Sequence, residues 1–305
     1  MLLNQHNYMK LSAHNAVALC PACAESHGRL LGHKESCALS ECIRCSTVFM
    51  SAQANGHSVK ELYNHYYDQA RFELPAAAAA SLELLAKSFA QFRQTGRWMD
   101  TGYGEGGLLS VAEQNGWNCY GTDISPHALE YGQKRGWIVS ANAENDLRFP
   151  RAGFDVVTMI EFLEHMQSPH EALQAAAQWV RPGGLLYVTT PNVNSLNRRI
   201  LGLDWSIFSP PEHVTIWSAR GLCHALTKAG FKIQRVRTEG LNPCEIVARL
   251  RARSETPQPV DRNTAAFALN SAFSSSPSRR AVKMAINRCL SVFGAGDTLK
   301  VWAVR

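Results

Sequence analysis

The stretch RWMDTGYGEGGLLSVAEQNGWNCYGTD, Arg97 to Asp123, decides how the chain folds. A short apolar run ends in Asp100, glycines follow at Gly102, Gly104, Gly106 and Gly107, an apolar-periodic segment begins, and a second apolar run ends in Asp123. This order predicts strand, glycine turn, helix, strand. Glycine permits a sharp turn and lets a ligand approach main-chain N–H groups at a helix N-terminus. Asp123 stands where a carboxylate takes both ribose hydroxyls of a nucleoside. Together these residues predict a site for an adenosine-like cofactor.

Gly102, Gly104 and Gly107 also satisfy the GxGxxG spacing of dinucleotide enzymes. Asp100 tips the choice, because an acidic side chain two positions before the first glycine suits a cationic ligand better than a pyrophosphate on the same turn. On these residues the chain resembles class I S-adenosylmethionine-dependent methyltransferases, whose first motif is an acidic residue followed by GxGxG. The resemblance continues in order through NAENDLRFP (Asn142 to Pro150), FDVVTMIEFLEHM (Phe154 to Met166) and RPGGLLYVTTPN (Arg181 to Asn192), and it covers residues 96–305. Within that family the chain is most similar to the ubiquinone-biosynthesis O-methyltransferase-like group. The resemblance implies a Rossmann-like α/β sheet of seven strands, mostly parallel with an antiparallel C-terminal edge. It also implies that Asp100, Gly102, Gly104, Gly106, Asp123, Ile124, Asn142, Ala143 and Ile160 form the cofactor site. Main-chain groups around Gly102 and Gly104 hold the methionine part, Asp123 the ribose, Ala143 flanks the adenine, and Ile160 offers backbone. Asn142 stands where many relatives carry an acidic residue, and its amide oxygen can accept the same hydrogen bond.

From Arg97 onward strand and helix patterns alternate, which predicts a parallel sheet with helices on both faces. Pro182-Gly183-Gly184 is expected to stop a helix before the fifth strand. FKIQRVRT and TLKVWAVR read as the antiparallel edge, and residues 241–293 between them read as an insertion of the lid or mobile type. Its run AVKMAINRCLSVFG is amphipathic, with helix packing the default and closure over substrate, pairing with another subunit or contact with a membrane surface the other options. Residues 51–95 read as a helical connector or cap, clearest in LPAAAAASLELLAKSFAQF, with Tyr63, Tyr66 and Tyr67 as pocket-lining or packing aromatics.

The first fifty residues hold a second constellation. Cys20-Pro-Ala-Cys23 and Cys42-Ile-Arg-Cys45 have the spacing of a four-cysteine zinc ribbon, in which two knuckles complete a tetrahedron. So small a segment would owe much of its folding free energy to the metal. At 305 residues the chain accommodates this module and one larger domain. The formal charge of +6 is modest, and its basic residues are scattered, which fits solvated surface. Nine cysteines without a secretory leader pattern point to metal ligands and free thiols, and to a cytoplasmic location. No stretch reaches the length of a membrane-spanning helix.

Transfer to a hydroxyl requires a base, and His165 in EFLEHM and His213 in FSPPEHVTIWS are the catalytic candidates. Glu161 and Glu164 can orient either one. IEFLEHM replaces the Asn/Asp-Pro-Pro-Tyr type motif of enzymes that methylate base amines or glutamine amides, which disfavours those acceptors. The layout resembles bacterial methyltransferases acting on sugars, nucleotide-linked sugars and glycans. A small-molecule or sugar acceptor, methylated at oxygen or carbon, is the leading expectation. The alternatives are an RNA methyltransferase whose ribbon reads nucleic acid, for which the ribbon offers only Arg29, Lys34 and Arg44, a non-catalytic cofactor-binding protein, and an NAD-dependent oxidoreductase.

Overall fold

The computed structural model describes residues 19–53, 76–252 and 277–305; Tyr63, Tyr66, Tyr67 and the Ser/Pro/Arg-rich residues 253–276 lie outside them. The cysteine module is a meander of β1 (Gly28–Lys34), β2 (Cys37–Cys42) and β3 (Val48–Gln53), all antiparallel. Residues 51–53, expected at the start of a helical connector, are thus strand: Gln53, Ala52 and Met50 pair with Cys37, Ala38 and Leu39, and these ladder partners override local helix preference. The described helix of that connector is α1 (Ala76–Phe89).

Beyond it come β4 (Arg97–Thr101), α2 (Gly107–Gln114), β5 (Asn118–Thr122), α3 (Pro126–Lys134) and β6 (Ile138–Ser140). Then follow β7 (Phe154–Ile160), α4 (Pro169–Trp179), β8 (Val180–Pro191), α5 (Leu196–Leu201), β9 (Thr215–Ile216) and α6 (Ala219–Lys228). The chain closes with β10 (Lys232–Glu239), α7 (Pro243–Ala252), α8 (Pro277–Val292) and β11 (Thr298–Val304). Seven strands form one sheet in the order β10-β11-β8-β7-β4-β5-β6. β11 runs antiparallel to both neighbours, and the five strands from β8 to β6 are parallel. A parallel sheet is covered on both faces, so its central strands are apolar throughout; β7 is buried from Phe154 to Met159. From β4 the chain order runs outward in one direction through β5 and β6, and in the other through β7 and β8. That reversal leaves a crevice at the carboxyl ends of β4 and β7, where ligands bind in open α/β sheets.

Two local expectations are corrected. Helix α4 ends at Trp179, before Pro182-Gly183-Gly184, and those three residues already belong to β8. The chain terminus ties them to the sheet: Gly183, left-handed at φ 74°, donates its N–H to Arg305 O at 2.9 Å, and Arg305 N donates to Gly184 O at 3.2 Å. The other concerns the ribbon. β9 joins it as a fourth strand, pairing Val48 with Ile216 and Phe49 with Thr215, so the small sheet β1-β2-β3-β9 draws on residues far beyond position 50.

Candidate functional site

At the end of β4 the backbone turns through Gly102 (φ 68°), Gly104 (φ 54°) and Gly106 (φ 71°), the left-handed region that side chains disfavour. Space is short as well: a Cβ at Gly102 would lie 2.6 Å from the Phe162 ring. Asp123 closes the turn from the neighbouring strand. Its Oδ2 accepts from Gly104 N at 2.9 Å and its Oδ1 from Ser125 N at 2.8 Å. Burial raises this carboxyl above its ordinary range, against the pull of those N–H groups. Asp100 lies fully buried behind it. Burial pushes its carboxyl up to about 7, opposed by the Thr158 hydroxyl, which donates to Oδ1 at 2.6 Å, and reinforced by the charge of Asp123. Ala143 is buried, Ile160 is the half-buried last residue of β7, and Asn142 and Ile124 stand exposed at the rim.

One residue of this turn escaped the sequence reading. Tyr103 points inward, its hydroxyl donating to Ala128 O at 2.5 Å. The ring occupies a slot left by two glycines; a Cβ at Gly121 would meet it at 2.5 Å, and one at Gly132 would lie 2.8 Å from its hydroxyl. The signal was present, since glycine inside a strand marks a close approach.

Across the crevice, the residues after β7 and those before β9 meet. Glu161 adopts φ 48°, a conformation costly for a side-chain-bearing residue, and its Oε1 accepts from Thr189 Oγ1 at 3.0 Å. Glu164 is completely buried, accepts from Thr190 Oγ1 at 2.9 Å through Oε2, and has no hydrogen-bond partner for Oε1 among the described residues. Burial, with the charge of Glu161 second, holds it well above the usual carboxylate range. The two predicted histidines come together here, ring centroids 4.8 Å apart. Nδ1 of His165 lies 3.0 Å from Glu212 O, and Nδ1 of His213 lies 2.7 Å from Ile207 O. A carbonyl oxygen only accepts, so each Nδ1 donates to its carbonyl, and His165 makes a further hydrogen bond to the backbone of Glu161. Burial, with His213 second, lowers the pKa of His165 and keeps it neutral near pH 7. The carboxylate of Glu164 and both rings bring ligand atoms within 4.8 Å of one another.

In the ribbon, Sγ of Cys20 and Cys45 are 3.6 Å apart, as are those of Cys23 and Cys42, and all four lie within 4.8 Å of one another. A zinc tetrahedron with bonds of about 2.3 Å has sulfur–sulfur edges of roughly 3.8 Å, whereas a disulfide needs about 2.05 Å. The cluster fits the metal. Both knuckles close alike: Ala24 N donates to Cys20 O and Ser46 N to Cys42 O, each at 2.9 Å, with Ala24 (φ 58°) and Ser46 (φ 63°) left-handed.

This module is stitched to the histidine loop. Met50 N donates to Val214 O and Val214 N donates to Glu164 O, each at 2.9 Å, so one residue links the ribbon and the loop to the main chain of Glu164. Ser218 Oγ donates to Cys45 O, and Thr47 Oγ1 lies 3.2 Å from Ser218 Oγ.

A family profile described as a methyltransferase domain matches residues 67–236. Ubiquinone biosynthesis O-methyltransferases are similar over shorter stretches. That of Leptothrix cholodnii is 36% identical over 104 residues, 32% of this chain and 44% of that protein. That of Shewanella pealeana is 36% identical over 118 residues, 35% of this chain and 49% of that protein. The chain spans less than half the length of these curated relatives. Among solved structures, a SAM-dependent methyltransferase from Archaeoglobus fulgidus aligns with a TM-score of 0.51 at 19% identity, covering 81% of this chain and 100% of that one. The geranyl diphosphate C-methyltransferase of Streptomyces coelicolor A3(2) gives 0.51 at 14% identity, covering 82% and 100%. At such identities the likeness is one of fold.

Proposed function

The chain belongs to the methyltransferase-domain family, and from that premise we propose that it is an S-adenosylmethionine-dependent enzyme methylating a small-molecule or sugar acceptor at oxygen or carbon. The observation that carries the reading is the Asp123 carboxylate, held by Gly104 N and Ser125 N at the lip of a left-handed glycine turn. Each carboxylate oxygen accepts more than one hydrogen bond, so both retain capacity for the hydroxyls of a ribose. Gly102 and Gly104 offer main-chain groups to the methionine part, and Asp100 supplies negative charge behind them. Ala143 flanks the adenine with Asn142 and Ile124 at its rim, and Ile160 closes the inner side.

When bound, S-adenosylmethionine supplies an electrophilic methyl group on a sulfonium. The protein's share is to align the acceptor and hold its proton. His213 and His165, their rings fixed on backbone carbonyls, are the candidate bases for an acceptor hydroxyl. Neutrality of His165 keeps it able to accept. We assign Cys20, Cys23, Cys42 and Cys45 to one structural zinc.

The RNA reading is weakened by how the ribbon uses its basic residues. Arg29 pairs with Glu41, and Lys34 donates to the carbonyls of Leu203 and Trp205. Nucleic acid is therefore disfavoured as partner. Among the described residues no helix is long and apolar enough to cross a membrane.

The test is calorimetric titration with S-adenosylhomocysteine beside NAD. Micromolar binding of the first and none of the second is expected; no binding of the first overturns the proposal. Metal analysis should return about one zinc per chain.

A further inference from the structure

Between the cysteine ribbon and the sheet domain runs a cleft of about 280 Å³, lined by Leu31, Arg198, Arg199, Gly202, Leu203 and Phe208. We propose that this cleft binds a phosphate or diphosphate group carried by a small molecule. That the molecule is the methyl acceptor rests on the function proposed above.

Both units build the walls. A register shift in β1 between Leu30 and Gly32 leaves Leu31 out of the ladder, and Leu31 lines the cleft. Gly32 makes room for the opposite wall, since a Cβ there would lie 2.6 Å from Leu203 Cδ1. Lys34 pins that wall by donating to Leu203 O at 3.0 Å and Trp205 O at 3.2 Å. Buried Phe208 also lines the cleft. A cavity held by contacts from both sides is preformed, as ligand sites usually are.

The charges point to an anion. Glu41 Oε2 receives Arg29 at 3.0 Å and Arg198 at 3.5 Å, so two guanidinium groups share one carboxylate. Arg199 forms no ion pair among the described residues. Around the cleft Arg29, Lys34, Arg198, Arg199 and Arg249 face Glu35, Glu41, Asp204 and Glu245, which leaves one positive charge in excess. Of these acids, Asp204 is paired with Arg249, away from Arg198 and Arg199. The Arg198 contact is long, and a guanidinium fork released from it offers paired donors that match phosphate oxygens.

Position relates the cleft to the chemistry. Phe208 follows Ile207, whose carbonyl fixes the His213 ring. One loop thus lines the cationic cleft and carries the base, so a ligand anchored by its phosphate would reach toward the histidines.

Calorimetry on the full chain with inorganic pyrophosphate, uridine diphosphate and S-adenosylhomocysteine tests this, in the wild type and in Arg198→Gln/Arg199→Gln. The wild type should bind at least one of the first two ligands, more weakly at high salt. The double variant should weaken that binding at least tenfold while keeping S-adenosylhomocysteine affinity and melting temperature. Tighter binding of uridine diphosphate identifies a nucleotide-bearing ligand, and equal binding identifies the phosphate group alone; both support the site. Should the double variant fold poorly, Arg199→Glu, on an exposed side chain, gives the same readout. Anion binding that is absent from the wild type, or unchanged in the variants, overturns the cleft and leaves the methyltransferase reading standing. Loss of S-adenosylhomocysteine binding from the wild type counts against that reading alone.

Discussion

The two ends of the crevice are assembled over different distances along the chain. Asp100, the glycine turn, Asp123 and Ser125 lie in one strand-turn-helix-strand unit, and the bond that closes it, Gly104 N to Asp123, spans 19 positions. The histidine end draws on four separated segments, around Met50, Glu161–His165, Thr189–Thr190 and Ile207–Val214, and its fastening to the ribbon, Thr47 to Ser218, spans 171. The glycine turn closes on its near neighbours in the chain, whereas the histidine end takes its geometry from bonds to the cysteine module.

A substitution at the proposed zinc site tests that contrast most severely. Structural zinc in such modules contributes on the order of 10 kcal/mol. Cys42→Ser should abolish zinc retention and strip hydrogen-exchange protection from the ribbon and from residues 203–216, with S-adenosylhomocysteine affinity within about threefold of wild type. A parallel collapse of cofactor affinity would show the two ends to be one cooperative unit. The reverse experiment, Asp123→Ala, should weaken S-adenosylhomocysteine by roughly 2–3 kcal/mol, about 30- to 160-fold, with zinc content unchanged. An unchanged dissociation constant refutes the ribose assignment.

A gentler probe sits at the seam. Gly221, in the first turn of α6, faces Thr47; a Cβ there would lie 2.2 Å from Thr47 Oγ1. Gly221→Ala should destabilise by about 1–3 kcal/mol through overpacking, read by urea unfolding. A further effect is in pH. Burial raises Asp100 from 3.8 to about 7, so in the free protein it is protonated below that value. A cationic cofactor favours the carboxylate, so binding should release a proton and weaken by up to about tenfold per unit below pH 7, levelling off above. Because the folded value exceeds the unfolded one, this group's contribution to stability is present below pH 4 and lost as pH rises toward 7. Affinity that is flat from pH 5 to 8 would separate Asp100 from the cofactor.

What the sequence revealed follows the same division. The glycines and Asp123 were readable because their partners are near in the chain, and the four cysteines because knuckle spacing is itself local. Tyr103 was readable in principle from Gly121 and Gly132. β9 was not: Thr215–Ile216 is too short to show a period, and its partners Val48 and Phe49 lie in another unit. Pro182-Gly183-Gly184 misled because the bonds that tie it to the sheet come from Arg305, at the other end of the domain. His165 and His213 were each visible as chemistry, but their edge-to-face contact depends on carbonyls of Glu212 and Ile207 placed by a loop fold that no short-range pattern encodes.

The pairing of β3 with β9 also sets an order of events on the ribosome. The cysteine knuckles emerge first, but the strand that covers the outer edge of β3 follows only after some 160 further residues, on the order of ten seconds of translation. Through that interval the nascent ribbon carries an open edge, the kind of surface that invites pairing with another chain. Early capture of zinc would make that edge a rigid template, and the histidine loop the last piece laid against it.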